Sequence, residues 1–360
     1  MNANRQQVFI GLEASFRGAL SGSLYEVAQV GRLGAHPVSE PTFESAGRFR
    51  RRNAILPRAG HFAGELVFEP GEDLILELLL KGLGFSETPS ADDPVVGRTR
   101  RAYAPDDPGA IPTYRLEVKT PGADGYRLTG VAFTSLRLFS RARAAVVVRG
   151  GFVAAGRVYA GDASLDLEDS WDNPLQTEGS AATIFLEKST TVALGASAVV
   201  TGGARYNVSA GTTVLSSPGD GNTRGVNFAE HEMTVEAPLA PSNIDRAGIA
   251  TAWGRRGAER WIGQFTQHNP SDFVMEEFIR SVGLAGVELI LLTDPAKASP
   301  WDSGPPADPS NGLRVDFPLA AFRSGWPQHK GAGDVTDRIV YEPVHQDGSD
   351  IFAVETVRDT

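Results

Sequence analysis

The chain contains no cysteine among its 360 residues. Disulfide bridges, thiolate metal sites and cysteine nucleophiles are therefore excluded. Long apolar runs are missing as well, and residues 1–17 lack a charged segment followed by an apolar one. The sequence thus predicts a protein without a membrane span or a secretory leader, made in the cytoplasm of its cell.

Basic residues are scarce and unevenly spread. Only 5 of the 34 basic residues are lysine, and the formal net charge is −10. Residues 1–180 carry 20 basic and 22 acidic side chains, whereas residues 181–360 carry 14 and 22. A nucleic-acid reader would show a concentrated basic face instead. The one basic cluster is interpreted as an exposed loop that contacts other subunits; it comprises Arg48, Arg50, Arg51, Arg52 and Arg58.

Patterns typical of catalytic or cofactor sites are also lacking. The 6 histidines are scattered without metal-ligand spacing, and neither a nucleophile elbow nor a phosphate-binding loop occurs. The glycine-rich residues 219–225 lie between predicted strands and are interpreted as a hairpin loop. An acidic run (Asp166, Glu168, Asp169, Asp172) lacks the ligand order of a calcium loop and is interpreted as a solvated linker. We therefore assign no catalytic, cofactor-binding or metal residue, and predict a protein that is not an enzyme.

Glycine and proline, by contrast, are abundant, with 40 and 23 residues spread along the chain. This distribution is typical of many short strands joined by turns and loops. Alternating or β-rich segments predict strands at 65–68, 114–119, 130–139, 144–149, 183–187, 191–200, 226–236, 261–265, 287–292, 313–317 and 350–357.

One short pattern occurs twice, 199 residues apart. A strand-like stretch at 64–68 leads through Pro70 into 73–84, and another at 260–265 leads through Pro270 into 272–283. Acidic first turns, an apolar body and a closing glycine predict a helix in each copy. At the same spacing, residues 115–118 resemble residues 314–317. Internal duplication of this kind is typical of symmetric assemblies rather than of a single catalytic pocket.

The duplication divides the chain into three predicted parts. Residues 1–45 are an N-terminal arm, 46–170 the first domain, and 171–360 the second domain with room for inserted loops. The acidic stretch 162–178 lies at the boundary between the domains. Residues 86–113 and 293–312 follow the two predicted helices and are rich in Pro, Asp and Ser, so we expect long loops that make contacts.

Several stretches in this order resemble one known family. They are 60–68 followed by the 73–84 helix, the glycine-containing strand 126–136, and the closing segments 313–318 and 339–357. Together they are similar to the tail tube (major tail) proteins of long-tailed bacteriophages, in a two-domain form.

The resemblance implies a mainly β fold with two short helices, arranged as two tandem tail-tube-like β-sandwich or barrel domains. It implies that the inner strands of six domains form a β-barrel ring, so that three copies of this chain would suffice. Such homotrimeric rings would stack into the tail tube, through which DNA passes without specific binding during ejection. The implied partners are further copies of the chain, a tape measure protein and a tail terminator. The implied location is the virion tail, assembled in the host cytoplasm, with no membrane involved.

Two other interpretations remain open. A baseplate or head–tail completion protein with the same ancestral domain would form a single ring and not a polymer. A soluble carbohydrate-active β-sandwich belongs to another class, but the 5 tryptophans form no aromatic cluster in the sequence for sugar stacking. If the tube interpretation holds, we expect part of the acidic excess of 181–360 to face the lumen, because a basic lumen would bind DNA by counterion release.

Overall fold

The fold is known from a computed structural model, which describes most but not all of the chain. The described residues are 7–22, 24–27, 30–38, 41–46, 51–57, 60–68, 74–88, 98–106, 110–120, 123–141, 146–159, 186–194, 198–201, 204–208, 213–216, 227–244, 250–257, 259–268, 284–292, 297–301, 308–324, 328–329, 335–343 and 353–359.

The described part of residues 7–159, called the first half, holds twelve strands and one helix. They are β1 (Gln7–Leu12), β2 (Tyr25–Glu26), β3 (Val30–Val38), β4 (Pro41–Ala46), β5 (Arg51–Pro57), β6 (His61–Phe68), α1 (Leu74–Leu83), β7 (Phe85–Thr88), β8 (Arg98–Pro105), β9 (Tyr114–Thr120), β10 (Ala123–Arg141), β11 (Val147–Ala154) and β12 (Gly156–Tyr159).

Residues 186–359, called the second half, contribute thirteen further strands. They are β13 (Leu186–Leu194), β14 (Ala198–Thr201), β15 (Ala204–Val208), β16 (Thr213–Ser216), β17 (Asn227–Glu236), β18 (Leu239–Ile244), β19 (Ala250–Arg255), β20 (Arg260–His268), β21 (Leu284–Leu292), β22 (Gly312–Ser324), β23 (Gln328–His329), β24 (Val335–Pro343) and β25 (Ala353–Asp359). The prediction of a mainly β chain is thus confirmed.

One long strand organises the first half. The N-terminal part of β10 pairs with β9 and β12, and its C-terminal part pairs with β11. On the β9 side the order is β2-β1-β9-β10, and on the β11 side it is β3-β6-β11-β10. Side chains of both sets of strands share one apolar core. The strand at 7–12, within the predicted N-terminal arm, pairs with β9 over six residues and buries Val8 and Ile10 completely.

The helix α1 packs into this core, as the apolar residues on most of its surface predict. Leu76, Leu79, Leu80 and Leu83 are at most 2% exposed. The backbone carbonyl of Leu78 accepts a hydrogen bond of 2.8 Å from the buried Tyr114 hydroxyl. The predicted helix over 73–84 is confirmed at Leu74–Leu83. The second predicted helix, over 272–283, lies outside the described residues.

The second half repeats the strand pairings of the first. The order β16-β13-β21-β22 matches β2-β1-β9-β10, and β17-β20-β24-β22 matches β3-β6-β11-β10. Strand β25 pairs with β22 as β12 pairs with β10. The hairpin β18–β19 matches β4–β5, and each forms a separate two-stranded sheet.

Register details agree as closely as the strand order. Gly64 in β6 lies opposite Phe152, and Gly263 in β20 lies opposite Tyr341. At both glycines the aromatic ring occupies the space that a Cβ would need. The ladder of β10 with β11 skips Thr134, and that of β22 with β24 skips the corresponding Arg323. These shared irregularities are unusual enough to mark equivalent positions.

The pairings also differ from two expectations. By its partners, β22 corresponds to β10, so residues 314–317 match β10 in the structure although they resemble β9 in sequence. A loop throughout 86–113 is wrong for 98–105, because β8 pairs there with β7 and with β25. In the first half β7 and β8 stand between the helix and β9; in the described second half no strand corresponds to them. The predicted boundary at 162–178 lies outside the described residues.

The two halves join into one extended antiparallel sheet. Because β10 also pairs with β17, the strands run in the order β3-β6-β11-β10-β17-β20-β24-β22. Followed pair by pair, the described ladders form no closed circuit, so within one copy this eight-stranded sheet is open.

Candidate assembly surface

The junction between the halves is a strand pairing. Residues 135–141 of β10 pair with residues 230–236 of β17 over seven residue pairs. Beyond them the Ala237 N–H donates to the Thr134 carbonyl at 2.8 Å. The second half therefore offers its first sheet strand, β17, to the last sheet strand of the first half. Such a head-to-tail contact joins two different edges.

The two end strands of the sheet repeat the same edges. Strand β3 corresponds to β17, and among the described strands it pairs with β6 alone. Strands β22 and β23 pair with β24 in a single register, Ser324 opposite Val340 and Gln328 opposite Thr336, and correspond to β10. Strand β10 pairs with β17 along one of its edges. The equivalent edge of β22 and β23 is covered by no described strand beyond Ala321. The sheet of one copy thus ends at one side in β3, which is equivalent to β17, and at the other side in β22 and β23, which are equivalent to β10.

The face of the sheet opposite the core, called the outer face, carries a row of polar contacts across the junction. Arg137 forms an ion pair of 2.6 Å with Glu232. The same carboxylate accepts a hydrogen bond of 2.8 Å from Gln264, whose side-chain oxygen accepts one of 2.8 Å from Arg338. The row spans β10, β17, β20 and β24, and so crosses from one half to the other.

Charge on the outer face is mixed. Among residues whose exposure the structure describes there, the numbers of basic and acidic side chains are equal. The four arginines are Arg137, Arg149, Arg260 and Arg338, and the four glutamates are Glu65, Glu232, Glu236 and Glu342. A basic concentration that would hold a nucleic acid is thus not seen on the described part of this face. Within the second half the described face carries Arg260 and Arg338 against Glu232, Glu236 and Glu342, and the expectation that part of the acidic excess of 181–360 faces a lumen stays a prediction.

A shallow groove crosses the outer face of the first half beside β3. Gly34, His36, Ala63 and Glu65 are among its lining residues. The second half has Glu232 at the position of Gly34 and Ile262 at that of Ala63. The groove therefore follows from small side chains.

Trp253, in the hairpin β18–β19, anchors the second half on the first. It is 7% exposed, and its indole N–H donates to the Gly130 carbonyl at 2.7 Å. The rings of Phe16 and His61 lie 6.2 and 5.9 Å from it, centroid to centroid. Gly130 has φ +61°, and a Cβ there would crowd Ala155 and Phe16, so this irregular position of β10 requires glycine.

A second strand pairing reinforces the junction. Residues 98–103 of β8 pair with residues 354–359 of β25. Arg98 and Arg100 donate to the backbone carbonyls of Ser310 and Pro300 at 2.6 and 2.9 Å. The Glu77 carboxylate of α1, only 3% exposed, accepts a hydrogen bond of 3.0 Å from Thr356. The segment predicted as a contact loop makes contacts, but largely as a strand within the same chain.

A buried polar pair lies next to the junction. His231 Nε2 and the Tyr341 hydroxyl are 2.6 Å apart, and both side chains are fully buried. Burial lowers the pKa of His231 to about 4, so the imidazole is neutral near pH 7. In the first half the equivalent positions hold Leu33 and Phe152. The pair is therefore a divergence between the halves and not part of the repeat.

Most of the residues considered in the sequence for other chemistry lie outside the described part of the chain. The acidic run 166–172 and the glycine-rich 219–225 lie outside the described residues. Of the basic cluster the structure describes the backbone of Arg51 and Arg52, which belong to β5, so the loop expected there is wrong for these two residues. Within the described ranges no three His, Asp or Glu side chains cluster as a metal site. No described helix has the length and apolarity to cross a membrane. The sequence patterns did not predict β3, the β18–β19 hairpin or the contact made by Trp253.

Comparison with known proteins adds no assignment. No family model matches the chain, and no curated protein matches it.

Proposed function

We propose that this chain is a structural protein whose copies join head to tail into closed rings of three, and that the rings stack into a hollow tube. The observation that carries the proposal is the pair of edges, at the ends of the eight-stranded sheet, that no described strand covers. Each edge corresponds to one strand of the β10–β17 junction inside the chain. The intramolecular junction is thus a template for the contact between copies.

The template specifies a register for the contact between copies. Val38 occupies in β3 the position of Glu236 in β17, and Ser324 occupies in β22 the position of Ser135 in β10. Since Ser135 pairs with Glu236, Ser324 of one copy pairs with Val38 of the next. An uncovered edge invites uncontrolled pairing, and closure into a ring removes it.

Three copies supply six halves in such a ring. Rotating the ring by one of its six halves places each junction on the next one. Junctions within a chain therefore alternate with junctions between chains around the ring. Closing with three chains is the stoichiometry that the resemblance to tail tube proteins implies. The sheet, with four strands from each half, then lines the lumen with its outer face, and the two halves act as tandem tube domains.

The outer face suits a conduit for DNA. Its described arginines are balanced by glutamates, and Arg137 and Arg338 are held in the polar row across β10 to β24. Side chains occupied in this way are less available to phosphates, so a duplex would pass without specific binding. We accordingly place the protein in the tail of a long-tailed phage, assembled in the host cytoplasm with a tape measure protein and a tail terminator, and without catalytic activity.

Negative-stain electron microscopy of the purified protein tests the proposal. Hollow striated tubes, or rings that stack as the protein is concentrated, are the expected result. Single rings that never stack would favour a baseplate or head–tail completion role. Monomers at every concentration and ionic strength would contradict the proposal and leave the carbohydrate-active β-sandwich as the remaining interpretation.

A further inference from the structure

The hairpin β18–β19 shows how one half grips another. It leaves the sheet between β17 and β20, reaches the first half, and buries Trp253 there against Phe16 and the Gly130 carbonyl. Ala250, at the start of β19, belongs to the same apolar cluster, together with Ala132 and Val153 of the first half. The hairpin is thus an arm with a defined docking surface on the preceding half.

The hairpin β4–β5 is the counterpart of this arm. It leaves the sheet between β3 and β6, which correspond to β17 and β20. Its end pair, Pro41 opposite Pro57, matches Leu239 opposite Arg255, each residue being displaced by 198 positions. Like β18–β19 it forms a two-stranded sheet of its own. A lone two-stranded hairpin is marginally stable in water, and its strands contain Phe43, Ile55 and Leu56.

We propose that the β4–β5 hairpin docks on the second half of the neighbouring copy, as β18–β19 docks on the first half of its own. This inference rests on the head-to-tail ring proposed above. The docking surface consists of the second-half counterparts of Ala132 and Val153. By the shared register with the skipped residues Thr134 and Arg323, these are Ala321 and Glu342.

The residues that differ between the two arms differ in a complementary way. Ala250 of β19 corresponds to Arg51 of β5, since they pair with Ile244 and Ala46. Val153 of β11 corresponds to Glu342 of β24. An apolar pair of positions within the chain is therefore replaced by an arginine and a glutamate between chains. Charge complementarity of this kind sets partner choice and register.

A charge-swap experiment tests this contact in the full-length protein. Arg51→Glu alone and Glu342→Arg alone should each raise the protein concentration needed for assembly by about tenfold, which corresponds to the loss of one good contact. Combining both substitutions should restore assembly to within about threefold of wild type. Arg256→Glu, at an exposed position in the second half, is the matched control and should leave assembly unchanged.

Cross-linking separates failure of this contact from failure of the ring. A protein with Ile55→Cys, the position of Trp253 in the first arm, is mixed with one carrying Ala321→Cys and treated with a short bismaleimide. A dimer that forms only in the mixture supports docking between copies. If rings or tubes form but the mixture gives no dimer and the charge swap has no effect, the docking proposal is overturned while the ring stands. If no assembly forms in wild type, both proposals fail.

Discussion

Trp253 illustrates how a single residue ties the halves together. A large, well-buried aromatic side chain at the centre of a contact usually contributes most of its energy. Its ring packs with Phe16, and its indole N–H donates to Gly130. The residue belongs to the second half, whereas its surroundings belong mostly to the first, so its loss affects both the arm and the junction.

We therefore expect Trp253→Ala to lower the free energy of unfolding by about 3–5 kcal/mol, the usual range for deleting a buried aromatic side chain. Trp253→Phe keeps an aromatic ring but loses the hydrogen bond, and should lower it by about 1–2 kcal/mol. Urea unfolding followed by circular dichroism measures both, with Arg256→Ala at an exposed position as the control. Values within about 0.5 kcal/mol of wild type for both Trp253 variants would show that the anchor is unimportant.

The His231–Tyr341 pair gives the molecule a defined response to acid. The pKa of His231 is lowered from 6.5 to about 4 by burial, whereas the unfolded chain keeps the ordinary value. Between these values the unfolded state binds more protons than the folded state, so stability falls as the pH falls from 6.5 towards 4. Below both values this contribution stays constant. The loss is of the order of 3 kcal/mol, because each pKa unit is about 1.4 kcal/mol.

Replacing the pair by its first-half counterparts, His231→Leu with Tyr341→Phe, should remove most of this slope. The single variant His231→Leu leaves the Tyr341 hydroxyl buried without the imidazole and should be less stable than the double variant by about 1–3 kcal/mol. Chemical unfolding at intervals from pH 4 to pH 7 measures both effects. An unchanged slope in the double variant would assign the acid response to other groups.

At the scale of elements, the sequence predicted those strands and the helix whose own residues show a clear local pattern. Strands with alternating or β-branched residues (β6, β9, β17, β20) and the apolar helix α1 lie where expected. Strand β3 was missed because Gly31, Gly34 and Pro37 hide its pattern, although its partner β6 was found. Strand β8 was missed because its residues, Arg98 to Pro105, acquire a strand conformation through pairing with β25, more than 200 positions away.

The repeat was predicted, but its extent was not. The sequence revealed the repeat around α1, because matching residues of the two copies are there separated by a constant distance of about 199 positions. Elsewhere the displacement changes; Phe152 and Tyr341, for example, lie 189 apart. Insertions of β7 and β8 in one half and of the 293–311 segment in the other break any constant spacing. Only partners in space reveal such matches, which is why residues 314–317 were matched with β9 instead of β10.

The edge of β3 allows a selective test of strand pairing between copies. In β17 the Ala237 N–H points to β10, and by alternation so does that of Met233. In β3 the counterpart of Met233 is Ala35, because Ala35 pairs with Gly64 and Met233 pairs with the equivalent glycine, Gly263. Proline is tolerated on an edge whose N–H faces solvent, and Pro37, the counterpart of Val235, already lies on the same edge as Ala35.

We expect Ala35→Pro to leave the fold of the isolated copy intact and to weaken assembly, because a second proline two residues from Pro37 removes a further N–H donor from the strand pairing between copies. Circular dichroism and sedimentation velocity measure fold and assembly separately. Ala35→Val, which keeps the N–H, is the control. Tubes of normal appearance formed by Ala35→Pro would show that β3 is not a contact between copies.

At the scale of the whole molecule, the two junctions of the proposed ring are unequal. The junction inside the chain has the β8–β25 pairing and the Trp253 anchor in addition to β10–β17. The described second half has no counterpart of β8, and in β5 Ile55 stands in place of the tryptophan. We therefore expect contacts between copies to be weaker than contacts within a copy, and the proposed ring to dissociate into folded chains before the halves separate.

The central claim is that β3 of one copy pairs with β22 of the next in a ring closed by three chains. The chain has no native cysteine, so a protein with Val38→Cys and Ser324→Cys carries only the two probes. The variant Ser135→Cys with Glu236→Cys, whose positions pair within the chain, is the geometric control and should react inside a single copy. After treatment with a short bismaleimide, denaturing mass analysis of the assembled Val38→Cys, Ser324→Cys protein should show covalent products that end at the trimer. A ladder extending beyond three copies, or only monomers while the control reacts, would contradict the claim.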